Sequence, residues 1–229
     1  MNVSIIIPTL NEAKNLPLVL PDIPRLPEIT EVLLVDGYSN DGTVEVAQQL
    51  LPDLKVIYQE GKGKGNAILC AAKMARSDYF LLLDADTSHQ PQEIPLFIAK
   101  AKEGYDLVKG SRYMPGGSTE DAPFFRDLVI RTANTVANMV WGTRFTDICY
   151  GMFLIHRRQF LSLNLHSQSW DVEWEMMIKA KRRGLRIAEV PSQEKKRLWG
   201  ESKLPNYAHN GWIVGRRVFA EALAFRKRP

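Results

Sequence analysis

Four short apolar runs, Val3 to Ile7, Glu31 to Val35, Lys55 to Tyr58 and Tyr79 to Leu83, show no polar alternation, and each gives way to turn residues and then to helix-like sequence. A strand buried on both faces has no solvent side to alternate toward, so these runs predict βαβα order and a mostly parallel sheet covered by helices. Helices are expected over Thr43 to Leu51, entered from Asn40-Asp41-Gly42, over Asn66 to Met74, and from near Gln92 with Pro91 in the first turn. A further strand is expected at Asp106 to Lys109. After Gly110 the pattern changes to a loop, Ser111 to Pro123, and then a long helix, Phe124 to Val140. A strand near Met152 to Ile155, a helix near Val172 to Arg183, a strand Arg186 to Val190 and a last helix, Tyr207 to Arg228, complete the reading. The 229 residues, 45% hydrophobic and 24% charged, suit one α/β core with that helix as part of the same domain.

In an open parallel sheet, ligands bind beyond the carboxyl ends of the strands, so the loops that directly follow strands carry the chemistry. Four such loops stand out: Pro8 to Glu12, Asp36 to Gly42, Glu60 to Gly65 and Asp84 to His89. Asp84-Ala85-Asp86 sets two hard anionic oxygens at a strand mouth with a small residue between them, which suits Mg²⁺ or Mn²⁺ bridging a diphosphate. The alternative is a strand-end turn whose aspartates bond backbone amides. Asp36 is placed to accept hydrogen bonds from a base or ribose, whereas Asp41 reads as a helix N-cap group. Gly61-Lys62-Gly63-Lys64-Gly65-Asn66 opens a helix with lysines suited to phosphate, yet matches neither a Walker A loop nor G-x-G-x-x-G.

Arg197-Leu198-Trp199-Gly200-Glu201-Ser202-Lys203 combines a guanidinium, a hydroxyl and an ammonium just past a strand end, either as a lid over a phosphorylated group or as a solvated loop. His89 has no second histidine at ligand spacing, and structural roles are expected for it and for His156, His166 and His209. Trp170, Trp174, Met176 and Met177 read as core, while the interleaved Glu173 and Glu175 could face a cleft. The formal charge is only +4, with basic residues gathered at Lys179 to Arg186, Lys195 to Lys203 and the Arg226-Lys227-Arg228 end, which favours an anionic partner. Cys70 and Cys149 form no CxxC, and neither a signal peptide nor a membrane span is evident, so a cytoplasmic setting is expected.

Taken in order, Ile7-Pro8-Thr9-Leu10-Asn11-Glu12, Val35-Asp36 with Asp41-Gly42-Thr43, Gly63-Lys64-Gly65-Asn66-Ala67, Asp84-Ala85-Asp86, Gly110-Ser111-Arg112-Tyr113, Glu175, Glu189-Val190-Pro191 and Arg197-x-x-Gly-x-Ser-Lys203 resemble glycosyltransferase family 2, and most of all its polyprenyl-phosphate (dolichyl-phosphate mannose synthase-like) branch. The resemblance implies a GT-A nucleotide-diphospho-sugar transferase fold over residues 1–203, with 204–229 as a basic amphipathic helix. It further implies a UDP- or GDP-hexose donor, with Pro8, Thr9, Glu12 and Asp36 near the nucleoside, Lys64, Asp84, Ala85 and Asp86 around the diphosphate, and the metal on Asp84 and Asp86. Arg112, Arg197, Ser202 and Lys203 are implied to gather phosphates. Gly37 departs from the family's Val-Asp-Asp turn, and Ser88 stands where a metal-site Gln often follows. The C-terminal membrane spans of many relatives are absent from this sequence.

The expected reaction is inverting transfer, with the metal and basic residues stabilising charge on the leaving diphosphate. A lipid-phosphate acceptor is already anionic, whereas a sugar hydroxyl needs a base such as Asp147. With a lipid acceptor, membrane contact would be peripheral, at the inner face, through Trp212, Phe219 and the basic residues of the last helix. A soluble hydroxyl acceptor is the nearest alternative. A sugar nucleotidyltransferase would place its glycine-rich loop after the first strand, where Pro8-Thr9-Leu10-Asn11 stands. Nucleic acid is not an expected partner, because a basic tail alone would leave the four strand-end loops without a purpose.

Overall fold

A computed structural model describes residues 1–120, 124–169 and 171–200. The expected last helix, the segment 204–229, Trp170, Ser202 and Lys203 lie outside the described residues. The strands are β1 (Val3–Thr9), β2 (Ile29–Asp36), β3 (Lys55–Tyr58), β4 (Tyr79–Leu82), β5 (Leu107–Ser111), β6 (Ser118–Thr119), β7 (Phe153–His156), β8 (Ile187–Pro191) and β9 (Gln193–Glu194). The helices are α1 (Leu16–Val19), α2 (Thr43–Leu50), α3 (Lys64–Met74), α4 (Ile94–Lys102), α5 (Phe124–Trp141), α6 (Arg157–Ser162) and α7 (Val172–Arg182). Pro91 opens a single 3₁₀ turn, Pro91–Glu93, that leads into α4. Its missing amide and fixed φ cost nothing at a helix entry.

Seven strands form one sheet in the order β3-β2-β1-β4-β7-β5-β8, and β6 pairs with β9 as a small separate ribbon. All main-sheet pairs are parallel except β7, which runs antiparallel to both β4 and β5. Successive side chains of β1 serve opposite faces: Ile5 and Ile7 join Leu34, Leu81 and Leu154 on one side, and Ile6 joins Leu33, Phe80 and Phe153 on the other. Both faces are therefore core, which accounts for the missing polar alternation.

The chain runs from β1 outward to β2 and β3, then returns across β1 to β4. That reversal opens a crevice at the carboxyl ends of β1 and β4, the point where such sheets hold ligands. Among the described residues, no helix is long and apolar enough to cross a membrane.

Candidate active site

The loops after β1 and β2 are stitched into one unit. The Asn11 amide donates to Ser39 Oγ (2.9 Å), the Asn40 amide to Asn11 Oδ1 (3.0 Å) and the Glu12 amide to Thr43 Oγ1 (2.8 Å). The Ala13 amide reaches Asp41, which also accepts from the Thr43 amide and hydroxyl at the start of α2; the N-cap position itself is Gly42, so Asp41 braces the turn just before the helix instead of capping it. Asp36 is fully buried and accepts from Thr9 Oγ1 (3.1 Å), the Ser39 amide (2.8 Å) and Ser39 Oγ (2.6 Å). Its carboxylate shapes the turn from inside. Pro8 is half-buried, and Glu12 holds the Asn15 side-chain amide at 2.6 Å.

Asp84 and Asp86 sit immediately past β4, with Ala85 buried between them. The Asp84 amide donates to His89 Nδ1 (2.9 Å), which leaves the ring proton on Nε2, 3.6 Å from Asp84 Oδ2. Burial holds the His89 imidazole below its usual pKa, so the ring is a neutral prop at the base of the pair. Asp86 Oδ1 accepts from the Ser88 amide and hydroxyl, which turns Oδ2 toward Arg197 Nη2 at 2.5 Å. Leu198 donates its amide to Thr87 Oγ1 (3.2 Å), which ties the 197–199 segment to the aspartate turn.

Lys64, in the first turn of α3, reaches Asp84 Oδ2 at 2.8 Å and Glu173 Oε1 at 3.0 Å. Burial pushes the Asp84 carboxyl up, but Lys64 and the other nearby cations outweigh it and hold the pKa at about 2. Burial likewise opposes the Lys64 ammonium, and the two carboxylates more than reverse it, so the pair is ionic. The glycines of this loop answer to packing. A Cβ at Gly65 would lie 2.2 Å from the Ser167 carbonyl oxygen, and one at Gly63 (φ 86°) 2.3 Å from that of Gln168. The Gly65 amide instead donates to Gln168 O at 2.9 Å. Glu175, fully buried, fastens the opposite side by accepting from the His166 and Ser167 amides while Lys179 pairs with it at 2.6 Å.

Glu173, which the sequence offered as an acid that could face a cleft, lies buried beside Lys64 and Asp84. Its Oε2 has no hydrogen-bond partner, and burial raises its pKa despite Lys64. The signal was present in the helix segment Val172 to Met177, where two acids interrupt an otherwise apolar run and are themselves buried. Trp174, Met176 and Met177 are core residues, as expected.

Arg112 and Asp147, expected to act on phosphate and as a base, lie together. Arg112 clamps Asp147 through Nε (2.6 Å) and Nη2 (3.0 Å), and its Nη1 lies 3.0 Å from Glu194 Oε2, with both Arg112 and Asp147 buried. Asp147 also accepts amides from Arg112, Cys149 and Tyr150, and Glu189 accepts those of Thr146 and Asp147. In this arrangement the Arg112 guanidinium and the Asp147 carboxylate spend their hydrogen bonds on one another and on neighbouring groups. The cluster holds the 146–150 turn on β5 and β8.

The residues fit a divalent cation at Asp84 and Asp86. Both carboxylates retain some exposure (23% and 16%), and Gly151 lets the Asp84 and Lys64 side chains approach its backbone closely, since a Cβ there would lie 2.8 Å from Asp84 Oδ2 and 2.9 Å from Lys64 Nζ. Among the described residues, no group of three or more His, Cys, Asp or Glu gathers to hold a metal. Two protein oxygens with the rest from water and phosphate is the pattern Mg²⁺ accepts.

Comparison with known proteins agrees with this architecture. Residues 4–162 match the model of the family described as Glycosyl transferase family 2. Dolichol-phosphate mannosyltransferase of Pyrococcus furiosus is 35% identical over 211 residues; the match covers 89% of this chain, which spans 59% of that relative's length. Polyprenol monophosphomannose synthase of Mycolicibacterium smegmatis is 33% identical, with 87% of this chain and 80% of the relative covered. A solved structure of glucosyl-3-phosphoglycerate synthase from Mycobacterium tuberculosis, with Mn²⁺, UDP and glucosyl-3-phosphoglycerate, superposes at a TM-score of 0.74 with 21% identity, over 97% of this chain and 79% of that one. That likeness shows the GT-A fold.

Proposed function

This chain belongs to glycosyl transferase family 2 and is a glycosyltransferase, and from that premise we propose that it moves a hexose from UDP- or GDP-sugar to a polyprenyl (dolichyl-type) phosphate, with inversion. The observation that carries the reading is the charge-matched strand mouth, where Asp84 and Asp86 each already hold a cationic side chain, Lys64 and Arg197. Mg²⁺ or Mn²⁺ on the two aspartates would supply the electrophile that draws charge onto the leaving diphosphate. Lys64 and Arg197, displaced from the carboxylates, are placed to take up phosphate oxygens, Lys64 as a point charge and Arg197 by its fork. The stitched loops after β1 and β2, with Pro8, Thr9, Glu12 and Asp36, hold the nucleoside end. Arg112 and Asp147 act as positioning residues, and a phosphate acceptor needs no base because its oxygen is anionic.

The relatives' names support a lipid acceptor, and α5 supplies a surface for one. Leu128, Val129, Val136, Met139 and Val140 are all exposed on this helix, with Arg131 beside them, a mixture suited to an anionic membrane face. Flotation with anionic vesicles should carry the protein upward; failure to float would leave a soluble acceptor.

The test is transfer of radiolabelled mannose from GDP-mannose, or glucose from UDP-glucose, to polyprenyl phosphate in detergent with Mn²⁺. Asp86→Ala and chelation should both abolish labelled lipid. Transfer that survives both would overturn the metal-site reading, and label appearing only in water-soluble product would overturn the lipid acceptor.

A further inference from the structure

Tyr38 and Tyr58 stack on one another at the far end of the same cleft, with ring centroids 5.5 Å apart and planes inclined by 23°, and neither is used by the chemistry above. Both are large aromatic side chains left open to solvent, Tyr38 at 67% and Tyr58 at 52%. Tyr58 ends β3 in register with Asp36, the last residue of β2, and Tyr38 lies two residues beyond that. Neighbouring strands are about 4.8 Å apart, so the pair sits roughly 10 to 14 Å across the sheet from the β4 aspartates, on the side to which β2 and β3 were laid down.

Tyr38 also holds a backbone conformation that its side chain disfavours. Its φ is 63°, in the left-handed region, where glycine is the easy occupant and a bulky residue is uncommon. Such strain persists only when its surroundings enforce it, and it gathers at binding sites. Here the enforcing frame is the stitched pair of loops: Ser39 is tied to Asp36 and Asn11, and Asn40 to Asn11. A ring mounted on that frame is pre-aimed and loses little freedom on binding.

The residue before it offers no polar group. A Cβ at Gly37 would meet Thr9 O, Leu10 and Gln59 Nε2, and the glycine presents neither a carboxylate nor a hydroxyl there. Gln59 Nε2 is spent on Gly61 O at 2.9 Å. What this end does offer a flat heteroaromatic group is two exposed aromatic π-faces, and every nucleobase can stack on one.

We propose that Tyr38 and Tyr58 form the platform on which the donor's nucleobase stacks, so that this chain grips the base by stacking instead of by hydrogen bonds to residue 37. The proposal rests on the donor-site reading above. Because the ring is exposed and the backbone strained, Tyr38→Gly separates the two roles a residue can have: it removes the platform while relieving the left-handed backbone.

Calorimetric titrations with GDP and with UDP, each with Mn²⁺, on wild type, Tyr38→Gly, Tyr38→Phe, Tyr58→Leu and Asp86→Ala test this, with Mn²⁺-pyrophosphate as the base-free probe. Tyr38→Gly and Tyr58→Leu should weaken the preferred nucleotide by roughly tenfold or more, the scale of one base on one aromatic ring, while Tyr38→Phe stays within about twofold. Pyrophosphate binding should not change in the three tyrosine variants, and Tyr38→Gly should melt no lower than wild type. Equal nucleotide affinity in wild type and Tyr38→Gly, with Asp86→Ala still defective, overturns the platform and leaves the donor site standing. Wild type binding neither nucleotide overturns both.

Discussion

Lys64 Nζ lies 2.8 Å from Asp84 Oδ2, so the carboxylate assigned to the metal already carries a protein cation. The two must compete for one oxygen. Lys64→Met is expected to tighten Mn²⁺ binding in the absence of nucleotide by roughly tenfold, the scale of a hydrogen bond to a charged group, and to weaken Mn²⁺-nucleotide binding. Manganese titration followed by electron paramagnetic resonance reads the first and calorimetry the second. Weaker Mn²⁺ binding in the variant would show that Lys64 supports the metal site instead of vying for it.

Gly65 has no room for a methyl group beside the Ser167 carbonyl, whereas at Gly61 a Cβ meets only the movable Asn66 side chain. Gly65→Ala should cost about 1 to 3 kcal/mol, the usual penalty of overpacking, and Gly61→Ala less. Urea unfolding of the two variants decides it; equal midpoints would mean that the 166–168 segment moves aside freely.

Removing one member of a buried ion pair strands the other. Arg112→Met or Asp147→Asn is expected to lower stability by about 3 to 5 kcal/mol, with loss of activity tracking unfolding. A well-folded Asp147→Asn protein lacking all transfer activity would return Asp147 to a chemical role.

Lys109 is fully buried on β5 with no hydrogen-bond partner for its ammonium, which lies 5.7 Å from the centroid of the Phe153 ring, and burial pushes its pKa down to about 8 despite the pull of Glu173 and Asp147. Between about 8 and 10.5 the unfolded chain keeps a proton that the folded chain has released, so stability rises with pH across that window. Below it both states are charged and the whole penalty is felt. Lys109→Met should therefore be the more stable protein at pH 7, by up to roughly 3 kcal/mol, with the advantage shrinking as pH climbs through 8 toward 10.5. Thermal melts at pH 7 and 9.5 measure the gap; a gap independent of pH would mean that Lys109 is neutral throughout.

The strands were legible because a doubly covered sheet leaves an uninterrupted apolar run, as in Tyr79 to Leu83. The strand mouths were legible because aspartates break such runs abruptly. What a linear reading lacked is the partner of each charge: Arg112 in Gly-Ser-Arg-Tyr pairs with Asp147 and Glu194, which arrive from segments far along the chain. Glu173 was visible only as an acid in an apolar turn, and Lys109 reads as an ordinary strand-end lysine until the helices close over it. The β6–β9 ribbon pairs two residues with two and leaves no periodicity to detect.

The antiparallel strand β7 sets a schedule for synthesis. Strands β1 to β4 can pair among themselves as soon as they emerge, but β5 has no neighbour until β7 fills the place between it and β4. Residues 112–152, about forty, separate the two, so a ribosome adding about 5 to 20 residues per second leaves the apolar Leu107-Val108 edge waiting for seconds. The nascent chain thus passes through a half-sheet stage, and it is at this stage that its exposed edge most needs shielding from other chains.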